Sequence, residues 1–274
     1  MMDASRSIAG QAIGPHGTRD TRRALPEEVP VAVTCNGSTQ AVMMCSPQDL
    51  EDFAVGFALT EGFVPGLAQI DSVEIVEGDH GIEARLWIDE TCAEALGDRR
   101  RAMMGPVGCG LCGIESLEQA MRDLPVLGSE FRIDAADLAA APEALRAQQP
   151  LHDLTHAAHA AGFLRPGQGV VCAREDVGRH NALDKLIGAL ARDGVDPAEG
   201  AFVITMRVSV EMVQKTVLAG ARVLVAVSAP TAHAVRLAET ANLTLAAFAR
   251  GAQVELYTHA YRIQTEDMTC RKTS

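Results

Sequence analysis

The chain has 274 residues, 47% of them hydrophobic and 22% charged, with a formal net charge of -12 and a sequence pI of about 5.1. The length favours two domains, and the negative charge argues against broad binding to nucleic acid or to an anionic membrane, both of which require a basic surface. Seven cysteines without disulfide-scaffold spacing, the lack of a signal-peptide pattern and the lack of a long apolar stretch predict a cytoplasmic protein with no membrane segment.

The first part of the chain predicts a small α+β domain. Residues 1–25 show no hydrophobic periodicity, so we expect a flexible leader there. Asn36-Gly37 between two β-branched runs predicts a hairpin, and Ser46 is expected to cap a helix that starts near Leu50 and runs to residue 60. Strands are predicted over residues 29–34, 39–44, 72–77 and 82–88. We place this domain at residues 26–134, with the cysteine loop inside it.

The cysteine loop, Gly108-Cys109-Gly110-Leu111-Cys112-Gly113, carries two thiols two residues apart. Glycine leaves the backbone uncrowded, and a helix predicted over residues 114–124 begins directly behind Cys112. The positive end of that helix and the basic run Arg99-Arg100-Arg101 are expected to lower a cysteine pKa from ~8.5 toward neutrality. The thiolate is then the resting form of the group.

Four interpretations of this cysteine pair stay open on sequence grounds. A structural zinc site normally needs four ligands, and no second pair with this spacing follows. A thioredoxin-like dithiol is disfavoured because that motif belongs beside a strand of a βαβ unit. The third interpretation is a sulfur carrier, in which one thiolate accepts a sulfane sulfur as a persulfide. The fourth is two incidental cysteines in a glycine-rich loop.

Three histidines lie near the middle of the chain. His152, His156 and His159 have i, i+4, i+7 spacing, which places their rings on one face if the segment is helical. An ordinary helix surface and a metal site explain this spacing equally well, and we assign no metal ligands. The preceding alanine-rich stretch, residues 135–149, is predicted as helix or linker, and the second domain is placed at residues 135–274.

The second domain alternates predicted strands and helices. The strands are predicted over residues 169–173, 201–206, 222–228, 243–248 and 253–257, and the helices over 182–191, 211–219 and 232–241. Such alternation predicts an α/β layer with a largely parallel sheet.

Polar residues follow successive strands at the points where the strands end. The first strand ends in Arg174-Glu175-Asp176 and is followed by Arg179 and His180. Arg207 and Ser209 follow the second strand, Ser228 the third and Arg250 the fourth. Ligands of open α/β sheets bind at the carboxyl ends of the strands, so arginines beside helix N-termini predict a pocket for phosphate or pyrophosphate. One such arginine would be explained as a loop charge, but the repetition favours a site. No Walker A or GxGxxG motif occurs, so the ligand is not an obvious nucleoside triphosphate or NAD.

One continuous segment resembles the signature of a known family, the formate dehydrogenase accessory sulfurtransferases (FdhD/NarQ family). It reads Arg174-Glu175-Asp176-Val177-Gly178-Arg179-His180-Asn181-Ala182-Leu183-Asp184-Lys185-Leu186-Ile187-Gly188. Supporting resemblances lie in the cysteine loop and in residues 49–62, 211–215, 227–231 and 248–251. The resemblance as a whole covers roughly residues 27–259.

The resemblance implies an α/β protein whose C-terminal domain has a cytidine-deaminase-like fold and binds a cofactor, usually as a homodimer. It implies that sulfur passes from a cysteine desulfurase to the bis(molybdopterin guanine dinucleotide) form of the molybdenum cofactor, which formate dehydrogenase requires. Cys109 matches the persulfide-carrying cysteine of the family and Cys112 its partner, whereas spacing alone slightly favours Cys112. The cofactor-contacting segment of the family matches Phe248, Ala249, Arg250, Gly251, Ala252 and Gln253.

Two positions depart from the family pattern. Thr155-His156-Ala157-Ala158-His159 stands where the family commonly has Thr-Gly-Gly-x-His, and Met206 stands where a glycine often precedes the arginine of the second strand. Both departures replace glycine with a larger residue. We therefore expect the backbone to approach the cofactor differently, with more effect on affinity than on function.

Two other functions are weighed against sulfur transfer. A zinc-dependent deaminase requires a His- or Cys-x-Glu motif followed by Pro-Cys-x-x-Cys, but Pro106 is not adjacent to Cys109, and Cys92-Ala93-Glu94 lies in an acidic segment before the deaminase-like domain. A chaperone that binds the molybdenum cofactor and delivers it without sulfur transfer would need only the anion pocket. That alternative differs from the carrier in whether Cys109 is required.

Overall fold

The computed structural model describes residues 2–103, 123–251 and 253–265. These residues form two main β-sheets, one in each half of the chain, with helices packed on both. None of the helices in these ranges is long and apolar enough to cross a bilayer.

A two-stranded hairpin occupies the N-terminal segment, so the prediction that residues 1–25 lack regular structure is wrong. Strand β1 (Ser5–Gly14) pairs antiparallel with β2 (Gly17–Pro26) along its whole length. The turn signal was Pro15 followed by Gly17, which adopts a positive φ of 106°. Most side chains of the hairpin are exposed, and this explains why the segment shows no alternation of buried and polar residues.

The sheet of the N-terminal half has the strand order β4-β3-β6-β5. The elements are β3 (Val29–Cys35), β4 (Ser38–Cys45), α1 (Leu50–Thr60), a 3-10 helix (Leu67–Gln69), β5 (Ile70–Gly78), β6 (Gly81–Ile88) and α2 (Glu90–Met103). The predicted hairpin is confirmed: Asn36 and Gly37 both have positive φ, as a type I′ turn requires.

Helix α1 has the predicted bounds but not the predicted cap. Asp49 occupies the N-cap position with φ of 53°, and its side chain makes no capping hydrogen bond. Ser46 instead faces the other half of the chain: its N–H donates to Asp176 Oδ2 at 3.0 Å, and its Oγ accepts from the N–H of Val177 at 3.1 Å. The polar signal before α1 therefore marks a contact between the two halves.

The sheet of the C-terminal half is six-stranded, in the order β13-β12-β11-β10-β8-β9. Its strands are β8 (His159–Arg165), β9 (Gly169–Asp176), β10 (Ala201–Ile204), β11 (Val223–Ala226), β12 (Thr244–Arg250) and β13 (Gln253–Leu256). The expectation of a largely parallel sheet is wrong, because only β10–β11 and β11–β12 pair in parallel. Strand β8, which was not predicted, runs antiparallel between β9 and β10, so β9 to β12 still point the same way.

Helices cover both faces of this sheet. Helices α5 (Arg179–Arg192), α6 (Val210–Leu218) and α7 (Ala232–Thr240) share one apolar core with it. Helix α3 (Ala135–Arg146) packs on the other face. Residues 135–149, predicted as helix or linker, are therefore mostly helix. A short helix α4 (Pro150–Thr155) follows, and a small parallel pair joins β7 (Ile133–Asp134) to β14 (Ile263–Gln264). The domain boundary between residues 134 and 135 stays a prediction.

The two halves meet where α1 crosses α5. A Cβ atom on Gly56 would lie 1.8 Å from the carbonyl oxygen of Asp184, and one on Gly188 would lie 1.8 Å from that of Asp52. Only glycine at both positions allows the two helix backbones to come this close.

Candidate functional site

The carboxyl ends of β9 to β12 lie along one edge of the large sheet. Hydrogen bonds join the loops that leave this edge: Val208 N–H donates to the carbonyl of Ala229 at 3.1 Å, Thr231 N–H to that of Val208 at 3.0 Å, and Phe248 N–H to that of Ser228 at 3.3 Å. Helices α5, α6 and α7 all begin at this edge, so their positive dipole ends point toward a ligand bound there.

Three arginines from separate loops carry positive charge along this edge. Arg179 begins α5, Arg207 follows β10 and Arg250 ends β12, and all three are exposed. Among the residues that the structure describes, none of the three forms an ion pair. We call these arginines and the strand ends that carry them the anion edge; its chemistry suits phosphate or pyrophosphate.

His180, Glu211 and Ser209 form a short polar chain beside the anion edge. Ser209 Oγ donates to Glu211 Oε2 at 2.6 Å, and His180 Nε2 lies 3.6 Å from the same oxygen. Burial lowers the pKa of His180, and the charge of Arg179 lowers it further. The hydrogen bond from Ser209 lowers the pKa of Glu211. A neutral imidazole beside a carboxylate can exchange a proton or a hydrogen bond with a ligand at this edge.

The segment from Phe248 to Gln253 exposes an aromatic ring and an arginine on an irregular strand. Phe248 is 44% exposed, has φ of 50°, and its ring centroid lies 6.4 Å from that of Tyr257. A register shift separates Ala247 from Arg250, and Gly251 also has a positive φ. Ala249 is buried, Gln253 is exposed, and Ala252 lies outside the described residues.

Most polar residues of the family-like segment bind the N-terminal half and not the anion edge. Asp176 forms a fully buried ion pair with Lys185, with 2.7 Å between Oδ2 and Nζ, and also accepts hydrogen bonds from Ser46, Gly178 and Asn181. Lys185 in turn donates to the carbonyl of Ser46. This network ties the start of α5 to the chain just before α1.

A second buried network links α5 to the end of α1 and to α6. Asp184 accepts from Lys215 Nζ at 2.9 Å and from Thr60 Oγ1 at 2.8 Å, and Lys215 also pairs with Glu61 at 3.0 Å. The sequence placed Lys215 in one of the segments that support the family resemblance but did not predict its ion pair, because no local pattern signals a partner that lies 31 residues away.

A third network uses the arginine at the start of the family-like segment. Arg174 Nε donates to Asp52 Oδ2 at 2.8 Å, and Arg192 pairs with the other oxygen of Asp52. Glu175 accepts from the N–H groups of Leu151 and His152 and so caps α4. Within the segment, Arg179 and His180 are the residues left facing the anion edge.

Comparison with known proteins gives a consistent picture. The model of the FdhD/NarQ family matches residues 26–264. The chain belongs to the FdhD/NarQ family. It is 49% identical over 259 residues to the sulfur carrier protein FdhD of Agrobacterium fabrum, covering 94% of this chain and 96% of that protein. It is 52% identical over 260 residues to the sulfur carrier protein FdhD of Brucella abortus, covering 94% and 97%.

A solved structure shares the fold of this FdhD/NarQ chain. It is that of a formate dehydrogenase accessory protein from Desulfotalea psychrophila, with a TM-score of 0.77 and 22% identity, and the match covers 96% of this chain and 100% of the other. The α/β fold class predicted from the sequence is confirmed. The family model begins at residue 26, so the β1–β2 hairpin lies almost wholly outside it.

The cysteine pair of this FdhD/NarQ chain, Cys109 and Cys112, lies outside the described residues, as does nearly all of the helix predicted behind it. The four cysteines that the structure describes are free. Burial raises the pKa of Cys35 to about 11, that of Cys45 further still, and those of Cys92 and Cys172 as well. None of these four thiols is activated as a thiolate at neutral pH.

The three histidines do not share a helix face, so that expectation is wrong. Helix α4 ends at Thr155, His156 adopts the left-handed conformation with φ of 55°, and His159 begins β8. His152 Nδ1 lies 3.2 Å from the carbonyl oxygen of Ala158. In the described ranges no group of three potential metal-ligating side chains is found.

The second departure from the family pattern also has a structural account. Met206 is 2% exposed and belongs to the apolar core beneath α6. Its side chain therefore fills the core, while the adjacent Arg207 stays exposed at the anion edge.

Proposed function

We propose that this chain is a sulfur carrier that takes sulfur from a cysteine desulfurase as a persulfide on Cys109. The carrier passes this sulfur to the bis(molybdopterin guanine dinucleotide) molybdenum cofactor, its substrate, which formate dehydrogenase then receives. The observation that carries the proposal is about 50% identity over nearly the whole length of both chains to proteins named as sulfur carriers. We place the carrier in the cytoplasm as a homodimer.

The cysteine pair supplies chemistry that balances. A desulfurase persulfide gives its outer sulfur to the Cys109 thiolate, and the desulfurase cysteine leaves as a thiolate. The Cys112 thiolate then attacks the inner sulfur of the Cys109 persulfide, which forms a disulfide and releases the outer sulfur as sulfide to molybdenum. Each cycle leaves the pair oxidised, so a thiol reductant must restore it.

The cysteines elsewhere support this assignment by their environments. Cys35 and Cys45 are buried with raised pKa values, and Cys92 and Cys172 also have raised pKa values. A persulfide carrier needs a thiolate that its donor can reach. A glycine-rich pair close to a basic run meets that requirement better than any of these four.

The anion edge supports binding of the substrate. The dinucleotide form of the cofactor carries two pyrophosphates, and Arg179, Arg207 and Arg250 offer three unpaired guanidinium groups among the described residues. Ser228 adds a hydroxyl to the same edge. His180 offers a neutral imidazole, and the segment Phe248, Ala249, Arg250, Gly251, Ala252 and Gln253 offers a ring and a backbone able to approach a flat ligand.

Intact mass after incubation with a cysteine desulfurase and cysteine tests the carrier role. We expect the wild type to gain one sulfur atom that a thiol reductant removes, and Cys109→Ala to gain none. Cys112→Ala should still gain sulfur but should release it slowly. Cys92→Ala is the matched control and should behave as wild type.

A separate binding assay tests the alternative function, a chaperone that delivers the cofactor without sulfur transfer. Loss of added sulfur in Cys109→Ala, with sulfuration of the cofactor lost as well, supports the carrier. If neither the wild type nor any variant gains sulfur, and the wild type and Cys109→Ala both bind the cofactor tightly, the chaperone is supported instead.

Binding at the anion edge has its own test. Arg207→Gln should weaken cofactor binding about tenfold through the loss of a charge-assisted hydrogen bond. Arg165→Gln removes an equal charge where Arg165 pairs with Glu199, so it should leave affinity unchanged. Equal affinities for both variants would place the cofactor elsewhere.

A further inference from the structure

Among the residues that the structure describes, Arg262 has no carboxylate partner. It closes the 3-10 helix Ala260–Arg262, and its relative exposure is 0%. Nη1 donates to Thr244 Oγ1 at 3.0 Å and Nη2 to the carbonyl of Gly128 at 2.7 Å, while Nε has no hydrogen-bond partner within the described ranges. Burying a guanidinium without a counter-ion is costly, and buried charges are normally paired.

Two further arginines lie next to it. Arg132 and Arg262 both face the ring of Tyr261, with 5.5 and 4.8 Å between their Cζ atoms and the ring centroid. Arg222 lies close to Gly128, whose carbonyl Arg262 binds, because a Cβ on Gly128 would lie 3.3 Å from Arg222 Nη2. We call Arg132, Arg222 and Arg262 the amino-edge arginine cluster.

The cluster carries more positive charge than its surroundings balance. Among the described residues, its one carboxylate is Glu130, which lies 3.6 Å from Arg222 and is 77% exposed. Burial lowers the pKa of Arg262, and the charges of Arg222 and Arg132 lower it further. The protein as a whole has a net charge of -12, so this excess of cations is a local feature.

The cluster is separate from the anion edge. Arg222 stands directly before β11, and Thr244, which binds Arg262, is the first residue of β12. Both positions are at the amino ends of the strands, whereas Arg207 and Arg250 are at the carboxyl ends. A ligand at the cluster would therefore lie on the opposite edge of the sheet from the candidate site.

We propose that the amino-edge arginine cluster is a second oxyanion site that binds a phosphate or the phosphoryl group of a larger ligand. Arg132, which is exposed, and Arg222, which is partly exposed, donate to the oxygens of the ligand. Arg262 supplies the buried charge behind them, and the ring of Tyr261 holds two of the guanidinium groups in place. The planar forks of two arginines match a phosphate group in geometry and in charge.

Titration calorimetry with inorganic phosphate, at constant ionic strength, tests the site in the full-length chain. The background is Arg179→Gln/Arg207→Gln/Arg250→Gln, which removes the charges of the anion edge and makes the test independent of the proposed sulfur transfer. We expect saturable binding at one site in this background. Adding Arg132→Gln and Arg222→Gln should weaken it at least about tenfold, from the loss of two charge-assisted hydrogen bonds.

Charge and internal competition are controlled separately. Arg146→Gln/Arg165→Gln removes the same charge from two surface ion pairs and should leave phosphate affinity unchanged. An absence of saturable binding in the background, or equal weakening in the charge control, overturns the proposal. Glu266 and Asp267 are the next carboxylates along the chain after Gln264. A last variant tests whether they compete with phosphate for the amino-edge arginine cluster. If phosphate binds only after Glu266→Gln/Asp267→Asn, the site belongs to an internal carboxylate and the proposal fails.

Discussion

Replacing Gly188 with alanine should push helices α1 and α5 apart and destabilise the protein. In the interior of a helix, alanine normally stabilises by about 1 kcal/mol relative to glycine. Here the added methyl group would lie 1.8 Å from the carbonyl oxygen of Asp52 and 2.7 Å from its carbonyl carbon, whereas ordinary contact begins at 3.4 Å. The obstacle is the backbone of α1, so no side-chain rotation can relieve the clash.

The expected loss follows from the movement that the clash requires. Helices α1 and α5 would have to separate by about 1.5 Å to restore ordinary contact. That movement also loosens the buried contacts of Lys215 with Asp184 and Thr60. We expect Gly188→Ala to lower the free energy of unfolding by about 3 kcal/mol, at the upper end of overpacking effects.

Urea unfolding followed by circular dichroism measures this change, with the free energy obtained by linear extrapolation. Gly66→Ala is the matched control, since Gly66 has an extended φ of -172° and the nearest atom to its new methyl group would be a side-chain oxygen of Gln69 at 3.5 Å. The control should stay within about 0.5 kcal/mol of wild type. A Gly188→Ala protein as stable as wild type, or more stable, would refute the close crossing of α1 and α5.

Three further predictions concern buried titratable groups. Lys215→Met leaves Asp184 buried and uncompensated and should cost about 3–5 kcal/mol of unfolding free energy, while Asp184→Asn/Lys215→Met should recover part of it. Burial lowers the pKa of His180 in the folded protein, so the unfolded chain binds a proton at this imidazole more tightly. The free energy of unfolding should therefore fall as pH drops below about 6.5. Denaturant titrations of His180→Gln should show a shallower fall than those of the wild type. Iodoacetamide at pH 8 should spare Cys35 and Cys45 until denaturant unfolds the chain, as peptide mass mapping will show.

Local sequence patterns predicted most elements of the fold correctly. The Asn36-Gly37 turn, the bounds of α1 and the strands of the first sheet all follow from signals within a few residues. Strand β8 escaped prediction because it begins at His159, the third of the three histidines, and includes alanines and a glycine, which are weak strand formers. The N-terminal hairpin escaped because both of its faces are largely exposed.

Long-range contacts set the limit of sequence reasoning at the candidate site. Repetition of polar residues at strand ends placed Arg179, Arg207 and Arg250 along one edge, and the topology does bring those strand ends together. The same reasoning treated Arg174, Glu175 and Asp176 as part of the pocket, but their partners include Asp52, Leu151 and Ser46. Asp52 and Ser46 lie more than 100 residues from their partners, and Leu151 lies 24 residues from Glu175; none of these separations leaves a local pattern in the sequence.

The split within the family-like segment connects its two roles. Asp176, Asn181 and Lys185 fix the first turns of α5 against residues 44–46. The same turns carry Arg179 and His180 at the anion edge. Rigid support from buried hydrogen bonds is what holds an exposed binding group in one geometry. One short segment can therefore join the two halves of the chain and also set the position of Arg179 and His180, the groups that we propose face the ligand.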